Sequence, residues 1–174
     1  MSKRSPVLTD ELRSRVRNDP FWASYLDQAE SQTPRFSIHL AVFVEPYLRL
    51  VLEGRKTVES RFSEHRIAPY KRAKEGDVIL LKQSGGLVVG LCRILRVWFY
   101  DLDPQSWEAL RREFTQALCA QDPDFWAQRR GASFATLMQI DNVRAIEPLR
   151  CVKRDRRGWV LLQPAGQLVM NLET

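Results

Sequence analysis

Residues 54–61 read Gly-Arg-Lys-Thr-Val-Glu-Ser-Arg, and the residues before them have a helical pattern. In residues 46–53 the apolar side chains form one stripe, and the glycine that follows stands where a helix end favours a left-handed backbone. In the strand predicted next, side chains alternate between two faces, so Glu59 and Arg61 share one side. We therefore predict that Lys56, Glu59 and Arg61 meet where a helix gives way to a strand.

This group of three side chains suits a phosphate-bearing ligand. Lys56 and Arg61 can bind a phosphate, while Glu59 orients them or accepts a proton. The alternative from the residues alone is a set of cross-strand ion pairs that only stabilises the sheet. Both interpretations stay open at this point.

The positive charge of the chain is concentrated in two short segments. The 174 residues carry 27 Lys and Arg against 21 Asp and Glu, a net charge of +6. Residues 61–74 and residues 144–157 each carry +4. Such concentrated charge is typical of surfaces that neutralise phosphates and release their counterions. Phe62, Tyr70 and Trp159 lie in or beside these segments and can stack on bases, whereas the alternative is a pair of solvated loops with core aromatics.

Strand signals dominate the rest of the chain without strict alternation with helices. The predicted strands are residues 37–44, 57–62, 78–82, 87–100, 134–146 and 158–162. Capped helix starts are predicted at Asp19-Pro20, Asp103-Pro104 and Asp122-Pro123. This pattern favours an α+β domain built on a small, largely antiparallel β-barrel with flanking helices. Residues 1–36 are predicted to form an N-terminal helical extension, and residues 37–174 the barrel domain.

The Gly-x-Lys-x-x-Glu-x-Arg signature of residues 54–61 occurs in a specific context. A helix precedes it, and Gly76-Asp77 and the Ser84-Gly85-Gly86 hairpin follow it. In this context the sequence resembles an ASCH (activating signal cointegrator homology) domain, a member of the PUA-like superfamily of small β-barrels. The resemblance spans roughly residues 37–163. It implies a PUA-like barrel with a cleft beside the helix, suited to RNA or a nucleotide-like ligand.

The resemblance also implies a set of site residues. Lys56, Glu59 and Arg61 would line the cleft, Tyr47 and His39 would be neighbours, and Ser84 would reach its rim. The basic segments add further candidate RNA contacts, namely Arg66, Lys153, Arg154, Arg156 and Arg157.

Some relatives in this family are amidohydrolases that act on acetylated cytidine. They use the signature lysine, a threonine three residues later and a more distant glutamate. Here Lys56 matches the lysine, but Glu59 stands at the threonine position. A related lineage has been assigned ribonuclease activity.

Three functions are compatible with these observations. The first is a module that binds single-stranded RNA or a nucleotide-like ligand. The second is a hydrolase on RNA or on a modified nucleoside, with Glu59 as general base and Lys56 stabilising negative charge. The third is a coactivator-like module that docks a protein partner through its N-terminal helices or residues 104–118. The sequence does not predict the oligomeric state.

The cysteines and histidines indicate whether the chain can bind a metal and whether it belongs in a reducing compartment. Cys92, Cys119 and Cys151 are odd in number and far apart, which indicates reduced thiols rather than a disulfide framework. With His39 and His65 as the only histidines, we predict no zinc site and no cofactor, and magnesium held by carboxylates stays open. No apolar run approaches the ~20 residues that span a membrane, and no signal-peptide pattern follows the first residues. A cytoplasmic protein without membrane partners is expected.

Overall fold

The computed structural model of the chain describes residues 6–28, 34–151 and 156–166. Its helices are α1 (Pro6–Val16), α2 (Pro20–Asp27), α3 (Tyr47–Leu52), α4 (Pro104–Phe114) and α5 (Pro123–Ala127). Its strands are β1 (Ile38–Phe43), β2 (Val58–Ser63), β3 (Val78–Gln83), β4 (Val88–Asp101), β5 (Phe134–Leu149) and β6 (Trp159–Gln163). Within these segments, no helix combines the length and apolar character needed to cross a membrane.

All six strands belong to one sheet in the order β2-β5-β4-β3-β1-β6. The β3–β4 hairpin is antiparallel, as predicted, and so are the β4–β5, β2–β5 and β1–β6 pairs. The β1–β3 pair is parallel. That pairing is possible because α3 and β2 lie between the two strands and form the long crossover that a parallel pair requires.

The sheet curls so that β2, at one edge, comes close to β1, near the other edge. Arg61 on β2 donates a hydrogen bond from Nη2 to the carbonyl oxygen of Val42 on β1, at 3.0 Å. Its Nη1 donates to the carbonyl oxygen of Gly158, just before β6, at 3.3 Å. The predicted α+β, barrel-like fold is confirmed, with one refinement. In the described chain a side chain, rather than a backbone ladder, bridges the gap between β2 and β1.

Helices α1 and α2 pack on the outer face of the sheet. Leu12, Trp22 and Leu26 are buried in one cluster with residues of β1, β3 and β4. The indole Nε1 of Trp22 also donates a hydrogen bond to the carbonyl oxygen of Asn142 on β5, at 2.8 Å. The described part of the extension therefore shares its hydrophobic core with the barrel. The boundary at residue 36 stays a prediction.

Helices α4 and α5 cover the other half of the outer face. Leu110 and Phe114 are buried there against β2 and β5. Trp107 makes edge contacts with Phe62 and Trp126, at centroid distances of 5.5 and 6.0 Å. The apolar stripe of α4, which suggested a docking helix for a protein partner, is thus largely packed within the molecule.

Local sequence signals locate most element ends. Asp19, Asp103 and Asp122 cap α2, α4 and α5, each of which begins with proline, as predicted. Strand β5 instead runs past Pro148, where the sequence pattern ended it. In that region Ala145 and Leu149 pair with residues of β4 that are only two positions apart, so the intervening segment bulges. Residues in a bulge are not paired with the neighbouring strand, so the missing N–H of Pro148 interrupts no hydrogen bond of the sheet.

Candidate functional site

The end of α3 directs Lys56 into the molecule. Gly54 adopts a φ of +73°, the left-handed conformation that favours glycine. Its amide donates to the carbonyl oxygen of Val51, and the amides of Arg55 and Lys56 both donate to that of Leu50. This tight turn caps the helix and starts β2, so Lys56 lies beneath the strand that carries Glu59 and Arg61.

Lys56 is buried with all three of its protons engaged. Its ammonium donates hydrogen bonds to the carbonyl oxygens of Val58 and Leu118, at 2.8 and 3.2 Å. The third contact is an ion pair with Glu59 Oε2 at 3.4 Å. Since an ammonium has three donors, Lys56 can contact a ligand only by giving up one of these partners. Its position favours a role in holding Glu59.

Glu59 lies between two cations. Its Oε1 is 3.0 Å from Nε of Arg61, while its Oε2 faces Lys56. The guanidinium of Arg61 is further held over the rings of Phe43 and Trp159, at 5.0 and 5.4 Å from their centroids. The Nε contact is an ion pair without hydrogen-bond alignment, so the buried Nε has no hydrogen-bond partner among the described residues.

These three side chains line a cavity of about 400 Å³, here called the signature pocket. Its size falls within the range of roughly 300–1,000 Å³ typical of small-ligand sites. Aromatic side chains form its walls, namely Phe43, Tyr47, Phe62 and Phe125. Val44 at the rim is 58% exposed, so the pocket opens to solvent. The predicted convergence of Lys56, Glu59 and Arg61 therefore occurs at an open site.

Arg129 is a pocket residue that the sequence did not indicate. It follows α5, and its guanidinium lies 3.7 Å from the ring centroid of Phe125 and 5.8 Å from that of Phe62. Its Nη1 donates a hydrogen bond to the carbonyl oxygen of Phe125 at 2.6 Å. The run of two arginines after the capped helix start was the available signal, but sequence alone does not show that α5 packs beside β2.

His39 does not line the signature pocket, although it was predicted as a neighbour. It is fully buried, with Nε2 2.9 Å from Asp77 Oδ2. The indole N–H of Trp159 donates to its Nδ1 at 3.0 Å. Because an indole is only a donor, Nδ1 is the acceptor, and the protonated Nε2 donates its hydrogen bond to the carboxylate of Asp77. His39 thus orients Trp159, whose ring in turn supports Arg61.

The other predicted residues lie at different places. Tyr47 lines the pocket, with its ring centroid 5.5 Å from Lys56 Nζ. Ser84 lies in the exposed β3–β4 turn, and its amide donates to the carbonyl oxygen of Phe43, a wall residue. Arg66 lines a separate cavity.

Two further predicted contacts, Arg156 and Arg157, are exposed and directly precede Gly158, whose carbonyl oxygen accepts a hydrogen bond from Arg61. Lys153 and Arg154 lie outside the described residues.

Burial lowers the pKa of Lys56 below the usual 10.5, and the nearby Glu59 acts in the opposite direction. Between the lowered pKa and 10.5, the unfolded chain binds more protons than the folded one, so the free energy of unfolding rises with pH. Lys56→Met removes this titration. We therefore expect the difference in free energy of unfolding, wild type minus variant, to increase as the pH approaches 10.5. Urea denaturation at a series of pH values measures it, and a constant or falling difference would contradict the prediction.

Comparison with known proteins identifies the family. The family model of the ASCH domain matches residues 42–150. The chain belongs to the ASCH domain family. The ASCH domain was predicted from the signature, and that prediction is confirmed.

Solved structures agree with this assignment. The chain is similar to the crystal structure of the ASCH protein from Zymomonas mobilis, with 14% identity, a TM-score of 0.58, and coverage of 73% of this chain and 88% of that one. Two mutants of that protein match with the same identity, TM-score and coverage of this chain, and with 91% and 89% of their own chains covered. At this identity the likeness shows that the ASCH domain fold is shared. No curated protein sequence matches the chain.

Proposed function

We propose that this ASCH domain binds single-stranded RNA and takes the base of one nucleotide into the signature pocket. The observation that carries the proposal is the carboxylate of Glu59 at the floor of an open cavity with aromatic walls and cations around it. Single-stranded RNA is recognised through bases that leave the stack, pack on aromatic side chains and form hydrogen bonds through their edges.

The carboxylate of Glu59 is the group that recognises the base. A carboxylate has about four lone-pair sites, and each oxygen of Glu59 uses one of them on a cation. The remaining sites can accept hydrogen bonds from the exocyclic amine of a base, as carboxylates do with cytosine N4.

Arginines at the pocket and beside it supply the phosphate contacts. Arg129 lines the pocket, and Arg156 and Arg157 are exposed next to Gly158. Arginine binds phosphate through several donors in a fixed plane. The resemblance of ASCH domains to PUA-like barrels favours RNA over DNA. We also propose a cytoplasmic location, since all three cysteines are free thiols and suit a reducing compartment.

Binding of a labelled single-stranded RNA of about six nucleotides tests the proposal. Fluorescence anisotropy is measured between about 50 and 200 mM salt, where phosphate contacts weaken as counterions compete. We expect Arg129→Ala to weaken binding by about tenfold or more, because a hydrogen bond to a charged group contributes about 1.5–3 kcal/mol. Arg112→Ala, on the exposed side of α4, is the charge-matched control and should stay close to wild type. Salt-independent binding that is equal in Arg129→Ala and wild type would refute the proposal.

A hydrolase acting on RNA or on a modified nucleoside is the second candidate. It is favoured by the pairing of the Lys56 ammonium with the Glu59 carboxylate at 3.4 Å in the lining of the pocket, because the carboxylate can act as general base and the ammonium can stabilise developing negative charge. The test incubates short RNAs and acetylated cytidine with wild type and Lys56→Ala, with and without magnesium. Product formed by wild type and reduced about 100-fold in the variant supports the hydrolase. Unchanged substrates in every reaction exclude it and leave RNA binding.

A further inference from the structure

A second cavity, of about 650 Å³, opens at the loop that follows β2. It is here called the loop cavity, and it is lined by Arg66, Tyr70, Lys71, Arg72, Phe99 and Asp101. It shares none of these residues with the signature pocket. Three cations against one carboxylate give its lining a net charge of +2, so the ligand that fits it is an anion.

The one carboxylate in the loop cavity neutralises little of this charge. Asp101 accepts a hydrogen bond from the hydroxyl of Tyr70 through Oδ1. Its Oδ2 lies 4.0 Å from Nη2 of Arg66, and both side chains are about two-thirds exposed. An ion pair at that separation and exposure contributes little attraction, because water screens it. Arg66, Lys71 and Arg72 therefore remain available to phosphate oxygens.

Two of these cations are held in place on aromatic rings. Lys71 Nζ lies 4.9 Å from the ring centroid of Phe99, and the guanidinium of Arg66 lies 5.2 Å from that of Phe134. Lys71 also has a φ of +55°, a conformation that is uncommon for residues other than glycine. Side chains that are fixed before binding lose less conformational entropy when a ligand arrives. The loop thus presents charges that ring contacts help to order, beside the partly exposed ring of Phe99.

The sheet places the two cavities side by side. Arg61 on β2 pairs with Thr136 on β5, and Thr136 pairs with Phe99 on β4. Residues directly opposite one another in an antiparallel sheet point to the same face. Arg61 and Phe99 are therefore on one face and separated by two strand spacings, about 10 Å. A few nucleotides of an extended single strand cover that distance.

We propose that the loop cavity is a second RNA subsite, which holds backbone phosphates and a stacked base of the strand whose other base enters the signature pocket. Arg66, Lys71 and Arg72 contact the phosphates, and the partly exposed ring of Phe99 offers the stacking surface. The inference rests on the proposed function, since it extends the same RNA strand. An RNA long enough to reach the loop cavity should therefore bind more tightly than one that fills only the signature pocket.

Binding of a nucleoside monophosphate and of a hexaribonucleotide separates the two sites. The test variant carries Arg66→Ala, Lys71→Ala and Arg72→Ala together. The control carries Arg17→Ala, Arg111→Ala and Arg112→Ala, which remove the same charge at exposed positions after α1 and on α4. A third variant carries Arg66→Gln, Lys71→Gln and Arg72→Gln, which remove the charge but keep a longer and more polar side chain than alanine.

The test variant should bind the hexamer at least about tenfold more weakly than the control, with the mononucleotide affinity unchanged. The slope of log affinity against log salt concentration should be smaller in magnitude by about 1 to 2 in this variant. Each lost phosphate contact reduces that magnitude by about 0.7. The glutamine variant should behave alike. If both loop variants match the control on the hexamer, the loop cavity is not a subsite and the signature pocket stands. If wild type binds neither ligand, the proposed function fails and this inference with it.

Discussion

Glu59→Ala is expected to lower the free energy of unfolding by about 3–5 kcal/mol, which urea denaturation measures. Glu59 is the shared partner of Lys56 and Arg61, and only 7% of its side chain is exposed. Removing it leaves the Lys56 ammonium buried beside the Arg61 guanidinium with no opposing charge. An uncompensated buried charge is strongly destabilising, whereas the loss of an exposed ion pair is not.

Two further variants define this effect. Glu108→Ala, at an exposed position of α4, should change stability by no more than about 0.5 kcal/mol. The double variant Lys56→Met with Glu59→Leu should be more stable than Glu59→Ala, because apolar residues of similar volume remove both buried charges together. If Glu59→Ala stays within about 1 kcal/mol of wild type, the three side chains do not form a coupled buried cluster.

Trp159→Ala is the second variant with a large expected effect. Trp159 is 4% exposed and belongs to the cluster on the concave face of the sheet. Truncating a buried tryptophan leaves a cavity and typically destabilises by about 3–5 kcal/mol. Because the ring also lies against Arg61, we expect weaker RNA binding even at temperatures where the variant is folded. Thermal unfolding and anisotropy measure the two effects.

Trp159→Phe separates the packing of the ring from its hydrogen bond. Phenylalanine keeps much of the apolar contact but lacks the N–H that donates to His39 Nδ1 at 3.0 Å. The buried nitrogen is then left without its donor, at a cost of about 1–3 kcal/mol. A phenylalanine variant as stable as wild type would contradict the role assigned to the His39–Trp159 hydrogen bond.

Features encoded by neighbouring residues were predictable from the sequence. The proline after each capping aspartate marked the start of α2, α4 and α5, and Gly54 marked the end of α3. Alternation along β2 correctly placed Glu59 and Arg61 together, since that spacing depends only on strand geometry.

Features that depend on distant contacts were not predictable in the same way. Arg129 enters the pocket because α5 packs against β2, more than sixty residues away in the chain. His39 lies on the concave face with Trp159, but its depth behind that ring depends on how far the sheet curls. The parallel β1–β3 pair likewise depends on a crossover that periodicity does not encode.

A crystal structure of the chain with a short single-stranded RNA would show directly whether the signature pocket takes a base. We predict one base in the signature pocket, with a base N–H donating to the carboxylate of Glu59 and a flanking phosphate bound by Arg129. An ordered RNA that occupies another surface and leaves this pocket empty would contradict the claim.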